Sequence, residues 1–302
     1  MRFAELLARP RLLLAAAALL QWLTTALVAL RTDGVSVGAL ELLNIVVLGP
    51  VALVCAYRIA VAIGGVALGA WTLLVWVAAP WAMHAVTLAS YDETLRDRVL
   101  PLGLGLTPEP GYAAGVALLA AAALIARSGT VSAAASGAAA AVAVLLTPEA
   151  VLFAGPAALA LLASRRPKDL GLFLGALAPA LLVALLWRQP SFEGASLDRL
   201  QGHFAGLREY FWSQRVLQWL PLAGTVAIAR RSVPLAILLG GWFGAFLVGL
   251  TTRAGVRYED GDVFRVLLPA LPAYVLLAAA LPLLVPTLAT KLGALARPVS
   301  AP

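Results

Sequence analysis

The stretch SYDETLRDR, which begins at Ser90, places five charged side chains within nine residues of a chain that is only 12% charged. Asp92 and Glu93 are carboxylates, the type of group that acts as a general base. Arg96 and Arg98 carry guanidinium groups, which hold phosphates through paired hydrogen bonds. A structural origin is equally consistent with the pattern, because Ser90 and Glu93 have the spacing of a capping box that starts a helix. The sequence leaves both interpretations open.

A second polar stretch, RAGVRYEDGDVFRVLLPALPAY, begins at Arg253. Asp260 and Asp262 flank a glycine, and carboxylates in this arrangement are ligands for a divalent cation. An Asp-Gly pair is also ordinary turn chemistry, and we favour the turn. Arg265 opens the last apolar run, where its guanidinium either grips a phosphate or extends to the membrane interface.

The segment 196–214 has the pattern of an amphipathic helix. Its apolar stripe consists of Leu200, Phe204, Leu207 and Phe211. His203 lies off this stripe if each residue turns about 100°. Such a helix lies in the plane of the membrane interface. It is either a structural element or one wall of a lipid-facing groove.

The elements that position these groups are long apolar runs. The chain has 302 residues, of which 62% are hydrophobic, and its mean hydropathy is +0.93. A run of about 20 apolar residues spans the hydrocarbon core as a helix. We therefore predict an all-α, polytopic transmembrane bundle. About ten spans are expected, near 12–30, 38–57, 64–82, 110–126, 130–146, 150–164, 170–187, 215–229, 232–250 and 264–288.

The charges between the runs predict the orientation of the bundle. Short connections such as SRRPK and ARRS are basic, which is typical of the cytoplasmic side. This places both termini in the cytoplasm and the polar loops 83–109, 188–214 and 251–263 outside. Nearly all acids then lie outside, although acids hardly influence topology. We infer a single integral domain, 1–302, in a cell inner or plasma membrane, with its working site on the outer face.

Several classes of site are absent from the sequence. The net charge of +7 is accounted for by arginines that flank helices, so nucleic acid is not an expected partner. A single cysteine, Cys55, excludes an internal disulfide, and two histidines far apart argue against a metal centre. No P-loop or dinucleotide fingerprint occurs. We predict no metal site and no certain cofactor, with a divalent cation at the Asp-Gly-Asp turn as the alternative.

The chain resembles the GT-C superfamily of polyprenyl-phosphate-sugar-dependent glycosyltransferases, which includes protein mannosyltransferases and the aminoarabinose transferase. The resemblance rests on loose apolar stretches with spaced Gly, Pro and Arg. These are VLGPVALVCAYRIAVAIGGVALGAWTLLVWVAAPW from Val47, AAAVAVLLTPEAVLFAGPAALALLASRRPKDLGLFLGALAPALLVALLW from Ala139, and FRVLLPALPAYVLLAAALPLL from Phe264. The resemblance is strongest to uncharacterised actinobacterial-type members.

The resemblance implies a GT-C-like bundle in which an outer carboxylate acts as base and outer arginines hold the lipid phosphate. It assigns the carboxylate role to Asp92, Glu93 and Asp33. It assigns contacts with the donor phosphate and lipid to Arg96, Arg98, His203, Arg257 and Arg265. The chain departs from the family in its first outer loop, where RTDGVSVG is short and Asp33 is the sole acid.

The implied function is transfer of a sugar from a polyprenyl-phosphate donor to an extracytoplasmic acceptor, a glycan or a protein that the sequence does not identify. Membrane lipids are the other expected partners. A second interpretation is an inactive relative that binds a lipid or glycan. A transporter is the third, but transporters have polar breaks in the middle of their spans. In this chain the charges cluster at the ends of spans.

Overall fold

The computed structural model describes residues 9–31, 38–87, 100–188, 197–211, 215–251 and 262–288. Every regular element in these ranges is helical, which confirms the predicted all-α class. The elements are α1 (Pro10–Arg31), α2 (Ala39–Leu43), α3 (Gly49–Thr87), α4 (Pro110–Ala126), α5 (Thr130–Leu146), α6 (Ala154–Ala163), α7 (Pro167–Val183), α8 (Leu197–Gly206), α9 (Leu220–Ala229), α10 (Val233–Thr251), α11 (Asp262–Leu267) and α12 (Leu271–Ala279).

Short π and 3₁₀ turns extend several of these helices. The π turns are Asn44–Leu48, Ala184–Arg188 and Leu207–Phe211, and the 3₁₀ turns are Pro148–Phe153, Arg215–Trp219, Leu268–Ala270 and Leu281–Leu284. Most of the 3₁₀ turns contain proline, which lacks an amide hydrogen and suits the first turn of a helix. The turn Asn44–Leu48 joins α2 to α3 without a break in the chain of helical hydrogen bonds.

Four helical stretches are long and apolar enough to cross a membrane. They are Pro10–Leu30, Ala39–Ala85, Pro167–Leu186 and Asp262–Leu284. The shorter apolar helices Pro110–Ala126, Thr130–Leu146, Pro148–Ala163, Val216–Ala229 and Val233–Gly249 coincide with further predicted spans. These findings support a membrane protein, and the total of about ten spans stays a prediction.

Helix α3 folds back on itself at Gly64 and Gly65. Gly65 has φ 82° and ψ −177°, a conformation that is essentially confined to glycine. Tyr57 on the first arm lies against Gly69 on the second, where an added Cβ would be 2.7 Å from the Tyr57 ring. The two arms therefore form a tight antiparallel hairpin. The sequence predicted that the connection between two spans lies at Arg58, and this was wrong. The helix continues past this exposed residue and reverses at the glycine pair, because glycine can adopt the backbone conformation that the reversal requires.

One end of the bundle collects the basic helix termini, and we call it the basic end. Arg166 Nη1 donates to the Ile125 carbonyl oxygen at 3.0 Å, and Arg230 Nη1 donates to the Leu284 carbonyl oxygen at 3.3 Å. The turn at Gly64 packs against the side chain of Leu283. These helix ends therefore lie close together, and they are the ones that the positive-inside pattern assigns to the cytoplasm.

The opposite end collects acids, and we call it the acidic end. Its packing is anchored by a small apolar cluster of Val28, Leu100, Leu104 and Leu106. Here α1 ends, and the segment 100–109 leads into α4. Asn44 Nδ2 donates to the Gly105 carbonyl oxygen at 3.2 Å, which connects this segment to the π turn that leads into the first arm of α3. Asn44 is buried and holds a structural contact, one of the two roles that polar groups at membrane depth take.

The centre of the bundle contains close helix crossings at small residues. An added Cβ on Gly137 of α5 would lie against the Phe173 carbonyl oxygen of α7, and one on Gly224 of α9 against the Leu277 carbonyl oxygen of α12. Small residues at these crossings let the backbones approach, as is usual for helices packed in a membrane. The outward faces of α1, α6 and α7 expose many leucines, as expected of a lipid-facing surface.

Candidate functional site

Arg265 stands on α11 at the acidic end, between two carboxylates. Its Nε lies 3.0 Å from Glu109 Oε1, and its Nη1 lies 4.0 Å from Asp262 Oδ1. Just over half of the Arg265 side chain is exposed, 57%, whereas 29% of Glu109 is exposed. The two contacts leave the three-residue cluster with one excess negative charge. We call these three residues the acidic-end cluster.

Glu109 is placed by the start of α4. It is the residue before Pro110, which occupies the first helical turn, and its backbone is extended with φ −82° and ψ 120°. Glu109 therefore stands at the N-terminal end of α4, where an acidic residue complements the helix dipole. Gly111 packs against the segment that carries Arg265, since an added Cβ there would be 3.4 Å from the Arg265 carbonyl oxygen, an ordinary contact distance.

A cavity of about 60 Å³ adjoins this cluster. Tyr112 on α4 and Leu268, one turn beyond Arg265, both line it. Most of the other lining residues are apolar: Trp76, Val77, Ala79, Pro80, Met83, Gly103, Leu104, Val116, Leu271, Pro272 and Val275. Of these, Pro80 and Gly103 are half-buried, while Val77 and Val116 are buried. The cavity is therefore more accessible on the side of Pro80 and Gly103 than on the side of Val77 and Val116.

The polar edge of the cavity is formed by Gln21 of α1 and Tyr112 of α4. Gln21 is 8% exposed, and its side chain is hydrogen-bonded to Tyr112. The Gln21 Oε1 atom has no partner among the described residues. Gln21 Oε1 remains as a buried hydrogen-bond acceptor.

The start of α3 lies beside the polar edge of the cavity. Gln21 Nε2 is close to Gly49, where an added Cβ would be 3.1 Å away. Roughly 15 Å of helix separates Ala39, at the start of α2, from Gly49 at a rise of ~1.5 Å per residue. The helical stretch that leads into α3 therefore continues beyond this contact.

The amphipathic helix predicted for 196–214 is present in the described part as α8 and the π turn Leu207–Phe211. Leu207 is fully buried in the main core, whereas Phe204 is 41% exposed. The π turn packs against α11, the element that carries Arg265. His203 is half-buried on α8, one turn before this contact. The structure therefore brings the helix of His203 close to the element of Arg265.

Most of the predicted site residues lie outside the described residues. These are Asp33, Asp92, Glu93, Arg96, Arg98 and Arg257. Their predicted roles stay predictions. Asp260 of the candidate cation turn also lies outside, and within the described ranges no group of three or more His, Cys, Asp or Glu side chains is arranged to hold a metal ion.

Glu109 is the site residue that sequence reasoning missed. The sequence LTPEPG marks a helix start, where an acid complements the helix dipole and so has a structural explanation. A signal was nevertheless present. Glu109 and Arg265 each stand at the outer end of an apolar run, so opposite charges occur at the same predicted depth.

Comparison with protein-family models, with curated proteins and with solved structures finds no match for this chain.

Proposed function

We propose that this membrane protein binds a polyprenyl-phosphate-linked sugar at the acidic end and transfers the sugar to an extracytoplasmic acceptor. The observation that carries the proposal is the Arg265–Glu109 pair beside an apolar cavity. A lipid-linked sugar has the complementary chemistry. Its phosphate needs a cation at the membrane boundary, and its isoprenoid chain needs an apolar wall.

Arg265 would contact the phosphate and stabilise the negative charge that develops on the leaving group. Glu109 would act as a positioning residue, because its carboxylate fixes the guanidinium nitrogen Nε. The base that activates the acceptor hydroxyl is proposed to come from Asp92, Glu93 or Asp33. A base of this kind works best when its pKa lies near the operating pH.

A second candidate function is a non-catalytic protein that binds a lipid or a glycan. The observation that favours it is the charge balance of the acidic-end cluster, in which Glu109 and Asp262 outnumber Arg265. A net negative site suits sugar hydroxyls, which donate hydrogen bonds to carboxylates. Such a protein would retain the cavity and bind without turnover.

The test uses the full chain reconstituted in lipid nanodiscs with a radiolabelled polyprenyl-phosphate sugar. Arg265→Gln is expected to weaken donor binding at least tenfold, since a hydrogen bond to a charged group contributes ~1.5–3 kcal/mol. Glu109→Gln keeps an acceptor beside Arg265 but removes a competing charge. It is expected to tighten binding up to about fivefold, because partly exposed ion pairs contribute ~0.2–1 kcal/mol.

Arg127→Gln is the matched control, because Arg127 is an exposed arginine that directly follows α4 at the basic end. It should leave donor binding unchanged. Equal binding by Arg265→Gln and Arg127→Gln would reject the phosphate role of Arg265. Turnover that survives the combined substitution Asp33→Asn, Asp92→Asn and Glu93→Gln would reject the proposed carboxylates. Binding without turnover in the unaltered chain would favour the second candidate.

A further inference from the structure

The proposed function makes no use of the two basic connections SRRPK and ARRS at the basic end. They join α6 to α7 and α9 to α10. Arg165 and Lys168 are exposed in the first connection, and Arg230 is exposed in the second. The acid that follows the first connection, Asp169, is buried and pairs with Arg166, so it does not neutralise the exposed cations. We call Arg165, Lys168 and Arg230 the cationic cluster.

The packing of α6 against α10 brings the two connections together. Gly249 of α10 lies against Leu152, just before α6, and Gly241 of α10 lies against Pro156 of α6. The two helices are therefore antiparallel. From the Pro156–Gly241 contact to the end of α6 at Ala163, and back to the start of α10, each helix extends roughly 10–12 Å at 1.5 Å per residue. Because packed helix axes are ~8–10 Å apart, the connections after α6 and before α10 are neighbours.

The backbone of Arg165 is strained. This residue ends α6 with φ 57°, the left-handed conformation that glycine usually adopts at a helix end. Its N–H donates to the Leu162 carbonyl oxygen at 2.8 Å, and the next N–H, of Arg166, donates to the Leu161 carbonyl oxygen at 3.0 Å. A side chain at such a position lowers stability relative to glycine. Strain of this kind is concentrated where proteins hold ligands, so it points to a role of the Arg165 side chain other than folding.

Exposed apolar side chains lie within one helical turn of the cationic cluster. Leu162 on α6 is 51% exposed, Leu172 on α7 is 41% exposed, and Val233 at the start of α10 is 57% exposed. A ligand that covers both the cations and these side chains carries a negative charge beside apolar chains. An anionic phospholipid has this chemistry, whereas a soluble anion leaves the apolar side chains uncovered.

We infer that the cationic cluster binds the headgroup of an anionic phospholipid. Arg165 and Lys168 contact the headgroup phosphate from one connection, and Arg230 contacts it from the other. Arg230 keeps its hydrogen bond to the Leu284 carbonyl oxygen through Nη1 and uses its other guanidinium nitrogens. The acyl chains lie along the exposed apolar side chains. This site does not depend on the transferase proposal, because it lies at the opposite end of the bundle from Arg265.

Native mass spectrometry of the full chain in detergent tests the inference. The protein is mixed with equal amounts of phosphatidylglycerol and phosphatidylcholine that have identical acyl chains, and the retained phospholipids are counted. Both lipids contain a phosphate, but only phosphatidylglycerol has a net negative charge. The unaltered chain is expected to retain phosphatidylglycerol at least tenfold better. Lys168→Gln and Arg230→Gln should each reduce this preference about fivefold, because each removes one cation.

Arg165→Gly separates lipid binding from folding. Glycine adopts the left-handed conformation without strain, so this variant is expected to unfold at a higher temperature than the unaltered chain. At the same time it should lose about fivefold of the preference for phosphatidylglycerol. If the Arg165 side chain served the fold alone, the variant would unfold at a lower temperature and keep its lipid preference.

Arg11→Gln is the matched control, because Arg11 is an exposed arginine at the start of α1, which packs against α3. It removes the same charge and should leave the lipid preference unchanged. Glycerol 1-phosphate, which has the headgroup phosphate but no acyl chains, should not displace the bound lipid. Equal retention of the two lipids, an equal loss in Arg11→Gln and Arg165→Gly, or displacement by glycerol 1-phosphate would overturn the inference.

Discussion

The reversal of α3 at Gly65 gives the sharpest test of the fold. Gly65 has φ 82° and ψ −177°, so a residue with a Cβ atom there adopts a strained backbone. Strain in this region costs ~1–3 kcal/mol per residue. Gly65→Ala is therefore expected to lower the free energy of unfolding by about 1–3 kcal/mol, which corresponds to a factor of roughly 5 to 150 in the unfolding equilibrium.

The matched control is Gly175→Ala on α7, where an added Cβ meets nothing within 4 Å. Replacing an unstrained helical glycine with alanine is neutral or stabilising by up to ~1 kcal/mol. Unfolding of both variants in mixed micelles, followed by tryptophan fluorescence during a denaturing-detergent titration, provides the measurement. If Gly65→Ala is as stable as Gly175→Ala, Gly65 does not adopt this conformation, and the hairpin is wrong.

Three further substitutions test the packing that supports the site. Asn44→Leu removes the hydrogen bond to the Gly105 carbonyl and should destabilise the fold by ~1–3 kcal/mol in the same titration, because that buried acceptor loses its partner. Arg166→Leu leaves the buried Asp169 carboxylate without its cation and should cost ~3–5 kcal/mol, whereas Arg166→Lys should recover part of the loss. Gly224→Ala places a methyl group against the Leu277 carbonyl and should cost ~1–3 kcal/mol. A variant whose free energy of unfolding equals that of the unaltered chain would show that its contact is absent.

Helix starts were predictable where the local signals were strong. The predicted spans 110–126 and 130–146 coincide with α4 and α5. Pro110 follows an extended residue and marks the start of α4. Apolar residues then continue to a basic residue, so the length and the end of the helix are also marked locally. The all-helical class followed from composition, because backbone groups in lipid must be satisfied within the segment.

The features that decide the site were not predictable in the same way. Hydropathy does not distinguish Gly65, which takes a positive φ, from the other glycines in apolar runs. The pairing of Glu109 with Arg265 joins two helix starts that are far apart in sequence, and nothing local specifies it. The hydrogen bond between Gln21 and Tyr112 is of the same long-range type. Local patterns therefore specified the elements, whereas the contacts between elements required the structure.

The length of α4 bears on why Glu109 needs a partner. Its 17 residues extend only about 25 Å, less than the ~30 Å of hydrocarbon that a spanning helix must cross. The neighbouring α1 and the helical stretch Ala39–Ala85 are longer. In a membrane, a carboxylate at the start of so short a helix lies close to the hydrocarbon, where a lone charge is costly and requires either water or a cation. Arg265 supplies the cation. An ion pair at the start of a short apolar helix meets this requirement, whichever ligand the site binds.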